Sequence, residues 1–564
     1  MDMVIFNLDT PVSSCDSVFS QFSVLSWERG IANFFIESVP FSWSNGHIFG
    51  NQIVAYLQLL SQHFLLESDL SCYEFGSGLG RLFPYVALQM KNDPSGRGFK
   101  FYSSDSSQRI IDELSHSLSS DHYCSVQFDQ MSFDSFQFSE QQAPHFLVMS
   151  FLLQSLSHCY LIWDNGELKE EKVITRLSGQ PLLDTSVCPF QWIESDDILN
   201  WISEQEPDVI LSHLSRLKLC FTEEWILDSC TCLSQEERIL LDAYFVEMQI
   251  SYCRFNYQKT VITGLKNLFE NAPDTCLWVI QDVGDIGVEG IPGDSKRIDS
   301  YGVYQCSYVY FPLIRYIAEK FNFGVCTTSF SNGEIQQLIF YRGIPSAAMN
   351  ECFSQFQQVP FLSQEKQFKQ SIDQAALFLS GQAFKDKVLT VVNGVVPGAL
   401  SYDMGMLIAE YFYCKQDYLE ALHYTTAVIH DYADFAVTAK LLQSKCYIAM
   451  NQFDKASQLL NQMIKVTSFF PDLYFYLSIV CIKTKNYDGF IDAMKRYLMC
   501  VQSDIDWNHV FTFLIVLAYH LPDKQQFEGY LAEINLCIKH QYYDIPDDVV
   551  TRFSEFELEY SQLV

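Results

Sequence analysis

The segment QIVAYLQLLSQHF, following Asn51, sets Ile53, Leu57, Leu60 and Phe64 on one helical face, and so predicts a helix. SCYEFGSG then predicts a short buried strand ending in a glycine-rich turn. RLFPYVALQM predicts a helix, FKFYSSD a second strand, SQRIIDELSHSL its following helix and PHFLVMSFLL a further buried strand. Strands alternating with helices predict an α/β unit with a parallel, doubly wound sheet. After an insertion, TCLWVIQDVGDIG gives another strand and turn, SYVYFPLIRYIAEKFNFGV a helix, and IQQLIFYRG, from Ile335 to Gly343, the closing strand. The insertion, about residues 160–270, mixes polar loops with the run SQEERILLDAYFVEMQISYCRFNYQKTVITGLKNLF, which reads as helical.

Past Ser401 the pattern is helical throughout, and KQDYLEA, NQFDKAS and KNYDGFI recur, with Tyr418, Phe453 and Tyr487 spaced by 35 and 34 residues. A small residue follows three positions on at Ala421 and Ala456, while Phe490 breaks that rule; Phe527 marks a weaker fourth, capping unit. This period is the tetratricopeptide signature, in which each helical hairpin buries one face on its neighbour. The expected organisation is an α/β domain over 1–350, a helical connection over 351–400 and an all-α repeat domain over 401–564.

At 564 residues, 48% of them hydrophobic, the chain has apolar area for several cores. Its 36 basic and 68 acidic residues give a net charge of -32, a field that repels a phosphate backbone; nucleic acid is not an expected partner, whereas a cationic protein segment is attracted. The 18 cysteines form neither an evenly spaced framework nor a pair of CxxC motifs, so no disulfide scaffold and no metal is expected, and reduced thiols suit a cytoplasmic protein. The lone CxC at Cys230 and Cys232 reads as an accident of a loop or helix. The start MDMVIFNLDT lacks a basic targeting region, and the longest apolar stretches reach only about half of the ~20 residues a membrane span needs, so no span is expected.

In YEFGSGLGRLFPYV, Glu74 ends a strand and Gly76, Ser77, Gly78 and Gly80 form the turn into a helix, letting backbone approach a ligand with no β-carbon in the way. The E-x-G-x-G-x-G spacing departs from the dinucleotide pattern G-x-G-x-x-G, and the turn suits the methionine part of S-adenosylmethionine, which carries no pyrophosphate. A carboxylate at the end of the second strand is the usual ribose acceptor. Asp105 is the candidate, with Ser104 the alternative if the strand ends one residue earlier and a plain turn residue the competing reading. Asp129 is a candidate to face the adenine, or an ordinary loop residue.

At these residues the chain resembles the MidA-type family of methyltransferases, which includes an arginine methyltransferase of mitochondrial complex I assembly. FSWSNGHIFGNQIVAYL is similar to the family's Phe-Gly segment at Phe49 and Gly50, and EFGSGLGRL to its glycine motif. WVIQDVGDIG is similar to its later Asp-Tyr-Gly strand, with Asp282, Val283 and Gly284; the following segment keeps only Gly302 of the family's Arg-Gly-Thr. The resemblance covers roughly residues 30–345 and implies a class I methyltransferase (Rossmann-like) fold, S-adenosylmethionine as cofactor and methylation of a protein, an arginine side chain being the acceptor in that family. The chain departs from the family where Asn-Glu-Leu-Leu-Asp-Ala-Leu is replaced by SFLLQSL, Ser150 to Leu156, and where the Pro-Glu before Phe-Gly is missing.

Methyl transfer to an arginine nitrogen needs carboxylates to orient the guanidinium and take its proton. With the usual suppliers gone, either the substrate differs, Asp164, Glu167 or Asp282 takes over, or the domain binds cofactor without turnover. Two functions follow: a protein methyltransferase whose repeats recruit its substrate, or a degenerate methyltransferase fold serving as an adaptor or chaperone. For a small-molecule substrate His158 is a candidate base, a packed histidine being the competing reading.

Overall fold

The computed structural model describes residues 8–30, 47–64, 69–91, 98–117, 126–130, 144–177, 220–285, 298–301, 304–330, 335–357, 361–394, 402–432, 436–467 and 470–500, with short pieces elsewhere. The chain divides into two compact units, one of residues 1–176, 223–408 and 433–435, the other of 177–222, 409–432 and 436–564.

The first unit is built on a twisted sheet. Its strands are β1 (Leu70–Phe75), β2 (Phe99–Asp105), β3 (Val126–Gln130), β4 (Phe146–Ser150), β5 (Cys276–Asp285), β6 (Gly324–Phe330) and β7 (Ile335–Arg342). They lie side by side in the order β3-β2-β1-β4-β5-β7-β6, with a short Val309–Tyr310 strand pairing with the end of β5. Strands β1 to β5 pair in parallel. Strand β7 runs antiparallel to both β5 and β6. This is the class I methyltransferase, Rossmann-like topology. Central β4, FLVMS, is buried on both faces, which is why it reads as a continuous apolar run rather than an alternating one.

The helix His47–His63 lays Ile53, Leu57 and Leu60, all fully buried, against the core, followed by buried Phe64. Gly50 lets that helix approach the helix Leu82–Met90, since a β-carbon there would come within 2.4 Å of the Tyr85 ring. Phe49 is buried beside it. Gly302 lies outside the described residues.

The inserted region corrects one expectation. The run from Ser234 to Phe269 is not helical throughout: a helix, Gln235–Glu247, is followed by the strand Tyr252–Tyr257 and then the helix Lys259–Glu270. Gln249 adopts φ +54 at the break, and exposed Tyr252, buried Cys253 and buried Phe255 alternate as a strand requires. The helical period on either side concealed six residues of period two. This strand pairs antiparallel with Cys159–Asp164, which pairs with Glu167–Leu177; Val12–Ser13 and Phe221–Ser229 join that last strand to complete a second, antiparallel sheet.

In the second unit the helices Tyr418–Tyr432, Val437–Ala449, Phe453–Val466, Pro471–Lys483 and Tyr487–Cys500 follow one another. Tyr418, Phe453 and Tyr487 each open a helix, and the preceding turns carry Gln416, Asn451 and Lys485 at φ near +60. Ala421, Ala456 and Phe490 are fully buried, so the third hairpin fills with an aromatic ring the place the others fill with a methyl group. Phe527 lies outside the described residues. Replacing Ala456 with Phe overfills its contact and is expected to cost about 1–3 kcal/mol, read by urea denaturation; an unchanged midpoint would mean that the site is not packed.

Candidate functional site

In open α/β sheets ligands bind beyond the carboxyl ends of the strands, where the strand order reverses. Here that point lies between β1 and β4. Strand β1 ends at Phe75, and the chain turns through Gly76, Gly78 and Gly80 at φ +69, +50 and +62, conformations that L side chains rarely adopt. A β-carbon on Gly76 would come within 2.9 Å of Leu152 Cδ1 in the segment after β4, and one on Gly80 within 2.7 Å of Leu114 Cδ2. The turn is stitched to the end of β2: the Ser77 N–H donates to the Ser104 carbonyl at 3.0 Å and the Gly78 N–H to Asp105 Oδ2 at 3.4 Å. The buried Ser77 hydroxyl has no hydrogen-bond partner among the described residues, although a buried polar group ordinarily finds one.

Asp105 is the last residue of β2 and is buried; its Oδ1 accepts the Ser107 N–H at 3.2 Å. Burial pushes its carboxyl up to about 6, against the pull of the N–H donors. The Ser104 hydroxyl instead turns back to donate to the Glu74 carbonyl at 2.9 Å. Glu74 accepts the Ser103 hydroxyl at 2.6 Å, and burial, with a smaller contribution from neighbouring Asp105, raises its carboxyl to about 7. Neither carboxylate forms an ion pair among the described residues. Asp129 lies in β3 opposite Ser104; its side chain is outside the described residues.

The other acids considered are engaged elsewhere. Asp282, fully buried in β5, accepts the Leu153 N–H at 2.7 Å and the Gln154 N–H at 3.2 Å on Oδ2 and the Val283 N–H at 2.8 Å on Oδ1. It thus pins the SFLLQSL segment; burial raises its carboxyl to about 7. Gln258 adds a bond to the Leu153 carbonyl at 2.7 Å, and Tyr304 one to the Ser155 hydroxyl at 2.6 Å. Asp164 and Glu167 flank the hairpin turn at Asn165 and Gly166, where Lys169 pairs with both, at 3.7 and 3.2 Å. His158 is buried, its Nε2 without a hydrogen-bond partner among the described residues, and burial lowers its pKa to about 4, so the ring is neutral at pH 7.

Sequence reasoning missed Glu28 and Leu152. Glu28 accepts the Ser107 hydroxyl at 3.3 Å, and its carbonyl accepts Arg109 Nη1 at 3.3 Å, so the turn Trp27–Arg29 lies against the start of the helix after β2. No local pattern links Glu28 to Ser107 across 79 positions. The cysteines scattered along the sequence are partly gathered in space: the fold brings Cys230 and Cys232 together with Cys159 and Glu170.

No protein-family model matches the chain, and no curated protein does. Among solved structures, it is similar to an uncharacterized protein from Burkholderia thailandensis at 9% identity and TM-score 0.37, over 59% of this chain and 88% of that one. A likely methyltransferase from the same organism, bound to S-adenosyl-homocysteine, aligns at 10% identity and TM-score 0.35 over 59% and 89%. A SAM-dependent methyltransferase from Aquifex aeolicus aligns at 10% identity and TM-score 0.23 over 52% and 97%. What the chain itself presents is a three-glycine turn beside two buried carboxylates, without an ion pair among the described residues, at the switch point of a class I methyltransferase sheet.

Proposed function

We propose that the chain is an S-adenosylmethionine-dependent methyltransferase of MidA type acting on a protein, with tetratricopeptide-like repeats recruiting the substrate in the cytoplasm. The observation that carries this reading is the turn from Glu74 to Gly80 facing Asp105. The three left-handed glycines leave a backbone cradle, and the buried Ser77 hydroxyl has no partner among the described residues. Glu74 and Asp105, buried without an ion pair among the described residues, suit a ligand bearing an ammonium and a sulfonium. Bound there, S-adenosylmethionine supplies an activated methyl group. Gly76, Ser77 and Gly78 would hold its methionine part and Asp105 its ribose hydroxyls; the Asp105 carboxylate accepts the Gly78 N–H on Oδ2 and the Ser107 N–H on Oδ1, with the Ser106 N–H also bonded to it, and its remaining lone pair leaves acceptor capacity for a hydroxyl.

Acceptance by Asp105 requires its carboxylate. Because its pKa lies at about 6, affinity for S-adenosyl-homocysteine is expected to weaken as pH falls through that value and to level off above it. Titrations between pH ~5 and ~8 check the sign; an affinity independent of pH would remove Asp105 from the ribose site. For the substrate, the test is transfer of labelled methyl from S-adenosylmethionine to arginine-bearing proteins, with and without residues 401–564. Loss of transfer to whole proteins but not to short peptides on deletion supports recruitment by the repeats, and equal transfer contradicts it.

One observation favours a second reading, in which the fold is a degenerate module and the repeats act as a protein-binding adaptor. Asp282 faces the backbone of the segment after β4, and that segment carries no acid of its own. Partner capture that is indifferent to cofactor, with no methyl transfer, would select this reading.

A further inference from the structure

The second sheet of the first unit gathers thiols from three distant stretches of sequence. Cys15 Sγ lies 3.4 Å from Cys159 Sγ, and Cys230 Sγ lies 3.8 Å from Cys232 Sγ. One ligand atom from each of Cys159, Glu170 and Cys232 falls within 4.8 Å of the others. In a tetrahedral zinc site with Zn–S bonds near 2.3 Å, the sulfurs stand ~3.8 Å apart; the Cys230–Cys232 separation equals that value and the Cys15–Cys159 one is slightly shorter.

Glu170 is the second, independent pointer to a cation. It is fully buried and forms no ion pair among the described residues, and a buried carboxylate is costly unless paired or bound to a metal. Its Oε1 accepts the Ser13 hydroxyl and its Oε2 the Thr231 N–H at 3.0 Å, and the Cys232 thiol also lies within hydrogen-bond reach of the carboxylate. Ser13 ends the strand Val12–Ser13 just before Cys15, and Thr231 lies between Cys230 and Cys232. A carboxylate so oriented keeps lone pairs free for a metal, the arrangement that outer-shell hydrogen bonds give a ligand.

We propose that Cys159, Glu170 and Cys232 bind a zinc ion, with the adjacent thiol of Cys15 or Cys230 completing four-coordination. Soft thiolates joined by one carboxylate suit zinc rather than magnesium or calcium. The site ties the N-terminal edge strand, the hairpin Cys159–Leu177 and the loop after Phe221–Ser229 into one body, so its role is structural. It shares no residue with the glycine turn and does not rest on the methyltransferase reading.

The test is metal analysis of the full chain, purified under reducing conditions and equilibrated with zinc, then dialysed. About one zinc per chain is expected, with C159S and C232S each losing it and C446S, at a buried cysteine of the other unit, keeping it. Should C159S or C232S fail to fold, cobalt(II) titration of the unaltered chain replaces them, and a thiolate-to-cobalt charge-transfer band with intense tetrahedral absorption is expected. A chain without zinc, variants that retain full zinc, no cobalt band, or a Cys15–Cys159 disulfide in the purified chain would each overturn the proposal.

Discussion

Replacing Gly78 with valine is expected to lower affinity for S-adenosylmethionine and S-adenosyl-homocysteine at least about 100-fold, equivalent to about 2.7 kcal/mol. Gly78 sits at φ +50 between two other left-handed glycines, and its N–H reaches Asp105 Oδ2. A side chain there costs ~1–2 kcal/mol in backbone strain and, being β-branched, fills the cradle the ligand would occupy. The residue is partly exposed, so the fold should survive with a melting temperature lower by only a few degrees. Calorimetric titration and a thermal melt of the same sample check both parts. Retained binding would remove the glycine turn from the site.

The second large effect is on stability. Asp282→Ala is expected to destabilise the first unit by about 3 kcal/mol, because it leaves the Leu153 and Gln154 amides without their buried acceptor. The pH dependence carries a definite sign. Burial raises the Asp282 carboxyl to about 7, so the native state keeps a proton that the unfolded chain has released. The stability from this group is full below an unfolded value near 4 and is lost as pH rises through about 7. The deficit of the variant relative to the unaltered chain should therefore narrow from pH ~5 to ~8 in urea denaturation. A widening deficit would contradict the burial account; a negligible one would mean the loop after β4 does not depend on Asp282.

The features legible in the sequence were those fixed by local chemistry. Alternating strands and helices gave the doubly wound sheet, and the positive φ values at Gly76, Gly78 and Gly80 are what glycine at alternate positions permits. The recurrence of Tyr418, Phe453 and Tyr487 marked three helix starts because each hairpin repeats the same turn. The strand Tyr252–Tyr257 was hidden because six residues between two amphipathic helices carry too little alternation to outweigh the helical period. The thiol cluster was hidden for a different reason. Cys15 meets Cys159 across 144 positions, and strand pairing brings the Cys230–Cys232 pair to them from further along the chain, and no spacing rule records that. Asp282 looked like a free acid because a sequence shows its charge but not the amide groups that claim it.

The most direct test of the central claim, that the Glu74–Gly80 turn binds S-adenosylmethionine, is isothermal titration of the full chain with the cofactor and with S-adenosyl-homocysteine. The account predicts that both bind at micromolar strength, one per chain, and that the Gly78 variant loses both. No heat of binding from either ligand, in a sample whose melting curve shows an intact fold, would contradict it and leave the helical hairpins as the functional part of the molecule.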